Sequence, residues 1–223
     1  MRSSAFKYCC SLVLVLSCLF TVVGCGDDDE ESYPSLITEL AMARADNQGL
    51  MTSFTTDDGI IHHVNNEIKG MTANSRIRAL ITYLKTDAPD GAPAENAFAT
   101  VYQAKAVPVL WNLTDEEAIH RDPTGIQSAW VSGGFVNLHL TPKTQGGKQG
   151  WGFTQDSVTT NLLGTATHHL SLYHHQHEDA TAYTTDLYAS ISLDSIPALG
   201  SQDSIRLTVN TFSTPAVWMF GIR

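Results

Sequence analysis

One stretch of the sequence concentrates side chains that could do chemistry: His168-His169-Leu170-Ser171-Leu172-Tyr173-His174-His175-Gln176-His177-Glu178-Asp179. Residues two apart on a strand point to the same face, so His175 and His177 would bring two imidazoles together, and Glu178 or Asp179 could add an oxygen. Such a set is a partial ligand shell for a divalent metal. A catalytic metal site takes at least three placed protein ligands, and His62-His63 and His139 fall on other predicted strands. No metal and no cofactor is therefore assigned, and the stretch reads as a solvated, histidine-rich turn. The sequence also lacks a Gly-x-Ser-x-Gly elbow, a zinc-protease helix motif, a phosphate-cradling glycine loop and a paired-cysteine site. No catalytic residue is assigned, and the chain is expected not to be an enzyme; a metal-dependent enzyme using the histidine turn is the minor alternative.

The elements that would position these side chains follow an N-terminal leader. Arg2 and Lys7 precede an apolar run that closes in Val22-Val23-Gly24-Cys25. The run is too short, and too directly followed by acidic residues, for a spanning helix. It has the charged, apolar and small-residue regions of a secretory signal ending in a lipobox. Residues 1–24 are thus expected to be removed, with Cys25 acylated and holding the chain to a membrane. Cys9, Cys10 and Cys18 would leave with the leader, so no disulfide framework is available and stability must come from an apolar core. Formal net charge is −10, and loss of Arg2 and Lys7 makes the remainder more acidic still. Asp27-Asp28-Asp29-Glu30-Glu31 follows Cys25 directly, and its self-repulsion favours an extended tether over residues 25–33. The run resembles the acidic export signal that follows the lipidated cysteine in surface lipoproteins of the Bacteroidetes. This resemblance implies an outer-membrane location, facing the exterior.

Beyond the tether the pattern is one of short alternating runs separated by turn signals, which indicates an all-β fold. Residues 35–44 have helix-favouring composition but also strand alternation, and are read as a strand. Met51 to Thr56 and Ile60-Ile61-His62-His63-Val64 flank Asp57-Asp58-Gly59, a strong hairpin signal. Residues 76–84 and 98–110 are further strands, the latter restricted by Pro108 to an edge or bulge near its end. Between Lys85 and Asn96, residues 87–93 read as a Pro/Gly loop, and Thr114 with Glu117 has capping-box spacing for one helical turn at a domain boundary. Gly133-Gly134 should turn a hairpin that pairs Val131 with Val136 and Ala129 with Leu138. Residues 141–150 form a long, polar, mobile loop. Tyr183 to Leu193 and Ile205 to Val209 alternate as half-buried strands, and Ala216-Val217-Trp218-Met219-Phe220 is apolar on both faces, as in a buried strand.

Three segments carry a family resemblance: Phe54-Thr55-Thr56-Asp57-Asp58-Gly59, Ser128-Ala129-Trp130-Val131-Ser132-Gly133-Gly134-Phe135-Val136-Asn137-Leu138, and Leu170-Ser171-Leu172-Tyr173-His174 followed by an acidic pair and Tyr183. With the lipobox, they resemble the NigD-like lipoproteins of the Bacteroidetes over nearly the whole chain. The resemblance implies an N-terminal OB-like barrel over residues 34–113 and a C-terminal β-sandwich over residues 120–223. It brings no catalytic residues, and suggests immunity or accessory roles because the family is named for a gene beside a bacteriocin operon.

An OB-type barrel that holds single-stranded nucleic acid needs a basic groove interleaved with aromatics. Here Arg76, Arg78, Lys85 and Lys105 are interspersed with apolar residues in an acidic chain, and a surface address removes cytoplasmic partners, so nucleic acid is not expected. Asp156-Ser157-Val158, Asp194-Ser195-Ile196 and Asp203-Ser204-Ile205 resemble the acceptor triplet of general O-glycosylation in the Bacteroidetes. Ser157, Ser195 and Ser204 are the candidate acceptors, although such triplets also shape turns. The function expected is that of a non-enzymatic, lipid-anchored binding or accessory module of the cell envelope, with a protein or glycan ligand. A bacteriocin-immunity lipoprotein is the leading alternative.

Acylation at Cys25 predicts that cells expressing the chain incorporate labelled palmitate into it and that it fractionates with membranes, while Cys25→Ala does neither. More than one acyl chain is needed, because a single one gives marginal binding of about 10⁴ M⁻¹. Equal membrane recovery of the variant would rule out a lipid anchor.

Overall fold

The computed structural model describes residues 35–87, 97–114, 119–162 and 164–222. The leader, Cys25, the acidic run, most of the Pro/Gly loop and the capping-box turn lie outside these residues. Among the described residues no helix is long and apolar enough to cross a membrane.

Five strands close a barrel: β1 (Ile37–Ala45), β2 (Met51–Thr56), β3 (Ile61–Val64), β4 (Arg76–Thr86) and β5 (Ala97–Ala106), in the order β1-β2-β3-β5-β4. β3 and β5 run parallel and the other neighbours antiparallel, an OB-like arrangement. β1 is a strand despite its helix-favouring composition. Ala41, Ala43 and Ala45 all point inward, and pairing on both sides with β2 and β4 overrides propensity. Ala41 and Ala43, with Ala79 and Ala99, leave room for Phe54, Ile81 and Tyr83 in a narrow interior. The β2–β3 turn is closed by the Thr56 N–H donating to Ile60 O and the Gly59 N–H donating to Thr56 O, each 3.0 Å, with Gly59 at φ +90°. The Thr56 hydroxyl donates to the Asp58 carboxylate in the same turn.

The second half begins with β6 (Val109–Leu110) and continues through β7 (Gly125–Ser132), β8 (Phe135–Thr141), β9 (Lys143–Thr144), β10 (Gly150–Thr160), β11 (Ala166–His175), β12 (Tyr183–Thr184) and β13 (Leu187–Ser192). A 3-10 turn (Leu193–Ser195), β14 (Ser204–Val209) and β15 (Ala216–Gly221) complete it. Two four-stranded sheets, β6-β13-β8-β7 and β10-β11-β14-β15, face one another across Val136, Leu138 and Ile191 on one side and Phe153, Leu170, Ile205 and Leu207 on the other. The Gly133-Gly134 hairpin has the expected register, Val131 opposite Val136 and Ala129 opposite Leu138.

Four strand-level expectations are corrected. Residues 98–110 are two strands in two sheets. β5 ends at Ala106, and past Pro108, which has no N–H for a ladder, β6 pairs with β13. Tyr183 to Leu193 is likewise broken into β12 and β13, with Leu193 starting the 3-10 turn. The 141–150 loop is tied down, since β9 pairs with β12 and Asp179 reaches into it. β15 is an edge strand, not a buried one: Val217 is 44% and Met219 59% exposed.

Barrel and sandwich are joined through Arg78 on β4. Its side chain is fully buried and pairs bidentately with Asp57 of the β2–β3 turn, at 2.5 and 2.7 Å. It also donates to Asn137 Oδ1 on β8 at 3.0 Å, and its guanidinium lies 4.5 Å from the Phe135 ring centroid. Ser132 Oγ donates to Asp57 at 2.5 Å, and Ser190 Oγ donates to Asn137 at 2.8 Å. A Cβ at Gly133 would stand 2.2 Å from Asp57 Oδ1, so this turn has to be glycine for the carboxylate to fit.

In the barrel core His62 is stacked on Phe54, with ring centroids 5.0 Å apart, and tilted against Tyr83 at 5.1 Å. Neither ring nitrogen has a hydrogen-bond partner, and burial, followed by the Lys85 charge, lowers its pKa. The Tyr83 hydroxyl donates to Glu39 Oε1 at 2.7 Å; burial first, then that bond, raises the phenol pKa.

Two outcomes follow for urea denaturation. Asp57→Ala leaves a buried, unpaired guanidinium and should cost about 3–5 kcal/mol, whereas adding Arg78→Met in that background should recover a large part of the loss. A single variant within about 0.5 kcal/mol of the parent would show that the junction is not held this way. His62 has a lower pKa folded than unfolded, so the unfolded chain takes up its proton first. Its contribution is complete above about pH 6.5 and is lost as pH falls through the folded value. Stability should therefore decline on acidification through this range, and less steeply in His62→Phe; parallel profiles for the two proteins would contradict it.

Candidate functional site

β11 carries the histidine stretch, and its alternation divides it. His168 and His174 are buried, while His169, Tyr173 and His175 lie on the less buried face. His168 Nε2 is 3.2 Å from Asp203 Oδ2, and Asp203 also accepts the N–H groups of Ala166 and Gly200, which lower its pKa. His174 stacks on Trp151 at 4.0 Å, with Nδ1 3.0 Å from Asp122 O and Nε2 3.1 Å from Gln149 Oε1. Both partners are acceptors, so a neutral ring can donate to only one of them; burial nonetheless outweighs them and lowers the His174 pKa.

His175 and His177 do come together, but not by strand alternation. β11 ends at His175, and His177 sits beyond it at φ +52°, which swings its ring back onto His175 with centroids 3.7 Å apart. Glu178 is exposed beside them. Asp179 serves a different purpose: it accepts from Thr144 Oγ1, Gln145 N, Gly147 N and Gln149 Nε2 at 2.5 to 3.1 Å. The Thr144 hydroxyl and the Gln145 N–H lead in lowering its pKa, to about 2. A metal would have to displace these donors, so Asp179 is a loop staple here.

Sequence reasoning missed the residues that complete this corner. Past Ser171, β11 no longer pairs with β14, and residues 120–122 take that place. The His174 N–H donates to His120 O at 3.1 Å, and the Asp122 N–H to His174 O at 3.0 Å. The His120 ring stacks on His175 with centroids 3.5 Å apart and planes 7° from parallel, and meets Tyr173 edge-on. Three imidazoles are thus stacked in the order His120, His175, His177. Partial burial, then the neighbouring His120 and His177, lower the His175 pKa. The one available signal was the His120-x-Asp122 spacing, which lies beside the segment read as a domain boundary.

A second site is a groove on the barrel wall between the β2–β3 turn and the ends of β1 and β4. It is lined by Arg44, Ser53, Ile60, Ile61, His63 and Arg76, with Ile61 54% exposed. Arg44 and Arg76 are direct cross-strand partners, and among the described residues neither meets a carboxylate. Like charges placed opposite one another are unfavourable. A bulge between Arg44 and Ala45 bends β1 at this point.

Of the triplet serines, Ser157 is exposed on β10 at a bulge and Ser195 is exposed in the 3-10 turn, donating to Ser192 O at 2.6 Å. Ser204 is half-buried at the start of β14.

Comparison with known proteins agrees with this architecture. Residues 106–217 match the model of the NigD-like C-terminal beta sandwich domain. A NigD-like immunity protein from Bacteroides caccae superposes with a TM-score of 0.65 at 20% identity, covering 85% of this chain and 98% of its own. A protein from Parabacteroides distasonis named as a candidate toxin-related protein gives 0.65 at 14%, over 83% and 92%. One from Bacteroides fragilis named as a candidate lipoprotein gives 0.59 at 13%, over 85% and 99%. No curated protein sequence matches the chain. At these identities the superpositions speak to fold alone, whereas the domain match spans half of the sequence: with its OB-like barrel and β-sandwich, the chain belongs to the NigD-like family.

Proposed function

We propose that this NigD-like chain is an outer-membrane lipoprotein, anchored through Cys25 and directed outward by Asp27 to Glu31, that acts by binding a protein or glycan rather than by catalysis. The observation that carries the reading is the barrel groove. Arg44 and Arg76 oppose one another there without a carboxylate among the described residues, next to exposed Ile60 and Ile61. An acidic chain that keeps two unmatched cations side by side beside an apolar surface presents a site for an anionic ligand with an apolar part. The immunity reading is a form of the same proposal in which the ligand is a toxin. It is favoured by the name of the Bacteroides caccae protein, which shares the fold.

Two measurements test the proposal. Protease added to intact cells should digest the wild-type chain, and replacing Asp27 to Glu31 with alanine should protect it without altering palmitate incorporation. Equal shielding of both would reduce the acidic run to a spacer. Glycan and peptide arrays probed with the wild type and with Arg44→Ala/Arg76→Ala should differ by loss of the anionic ligands in the variant. Identical array profiles would remove the groove from the function.

A further inference from the structure

The geometry points to a divalent transition-metal site of the zinc class at the open end of β11, formed by His120, Asp122 and His175. One ligand atom from each of these residues lies within 4.8 Å of the other two. Tetrahedral zinc with bonds of about 2.0–2.1 Å sets its ligand atoms about 3.3 Å apart, so binding would draw the three together by up to about 1.5 Å. As they stand the two rings are stacked with planes 7° apart, and because a metal binds an imidazole in its ring plane, both rings have to swing out of the stack for their nitrogens to converge on one ion.

Two further features describe a built site. No ring nitrogen of His120 or His175 is engaged in a hydrogen bond among the described residues, in contrast to His168 and His174 on the same strand. The Asp122 carboxylate is oriented by the Gln176 N–H, which donates to Oδ2 at 2.8 Å and leaves the other oxygen for an ion; ligating carboxylates are held by outer hydrogen bonds of this kind. Two imidazoles and a carboxylate suit zinc, and three protein ligands leave the fourth position to water or to a partner's side chain. The ion would bind the chain entering the sandwich to the end of β11 at a point where no β14 ladder supports it.

The full-length chain, purified in detergent and titrated with ZnCl₂ by calorimetry, should bind one ion per chain. His120→Ala and His175→Ala should each weaken binding about 100-fold, the upper end of what even outer-shell changes produce, while His177→Ala should change it by less than about threefold. In the unaltered protein, zinc should shift the imidazole NMR resonances of His120 and His175 and raise the melting temperature with zinc concentration. These two readouts need no variant, so poor folding of a variant does not blunt the test. Absence of saturable binding, equal affinity in His120→Ala/His175→Ala, or shifts confined to other histidines would overturn the assignment.

Discussion

A buried guanidinium governs how the two halves meet. Arg78 projects from the barrel wall into a place from which water is excluded, so its charge has to be met by protein. Asp57 supplies the charge, Asn137 an acceptor and Phe135 an aromatic face. These groups come from a barrel turn and from one sandwich hairpin, and the carboxylate and the amide are in turn held by Ser132 and Ser190. A displacement of one half by even one residue of register would keep the Asp57 pair, which lies within the barrel, but take Asn137 and Phe135 away from the guanidinium and Ser132 away from Asp57. The contact is therefore directional in a way that an apolar interface of the same size would not be, and it fixes the barrel groove and the sandwich in a single frame.

Alternation and turn chemistry made much of this fold legible. Asp57-Asp58-Gly59 and Gly133-Gly134 appeared as hairpins because positive φ is needed there, and the register at Val131 and Val136 followed from the face that must be buried. What stayed hidden was partnership. Arg78 sits in a strand pattern and gives no sign of being wholly buried. The stretch across Pro108 reads as one strand because propensity cannot tell which sheet a residue will join. In β15, apolar residues on both faces suggested burial, yet only one face of the sheet meets the core, and every second residue lies in solvent.

The histidine stretch shows the same division more sharply. Its residue types announced chemistry, but the strand that carries it spreads its imidazoles over two faces and assigns them different work. His168 and His174 brace the interior; His175 is drawn into a stack with His120, which is 55 positions away in the chain and could be found only by folding it. Asp179, the obvious oxygen donor by proximity, is instead claimed by four neighbours of its own, and the carboxylate beside the stack is Asp122. The corner exists because β14 is shorter than β11, so the open flank of β11 accepts the segment arriving from the barrel.

The turn at Asp57 performs two tasks that would ordinarily be separable. Asp58 and Gly59 close the hairpin locally, while Asp57 faces away to Arg78 and to the hairpin whose Gly133 must lack a side chain to admit it. Recombination that exchanged barrels or sandwiches between relatives would thus succeed only where position 57, position 78 and the 132–137 hairpin travel as a matched set. The modularity visible in the architecture is not inherited by the sequence: that small set of positions has to be passed on as one heritable character.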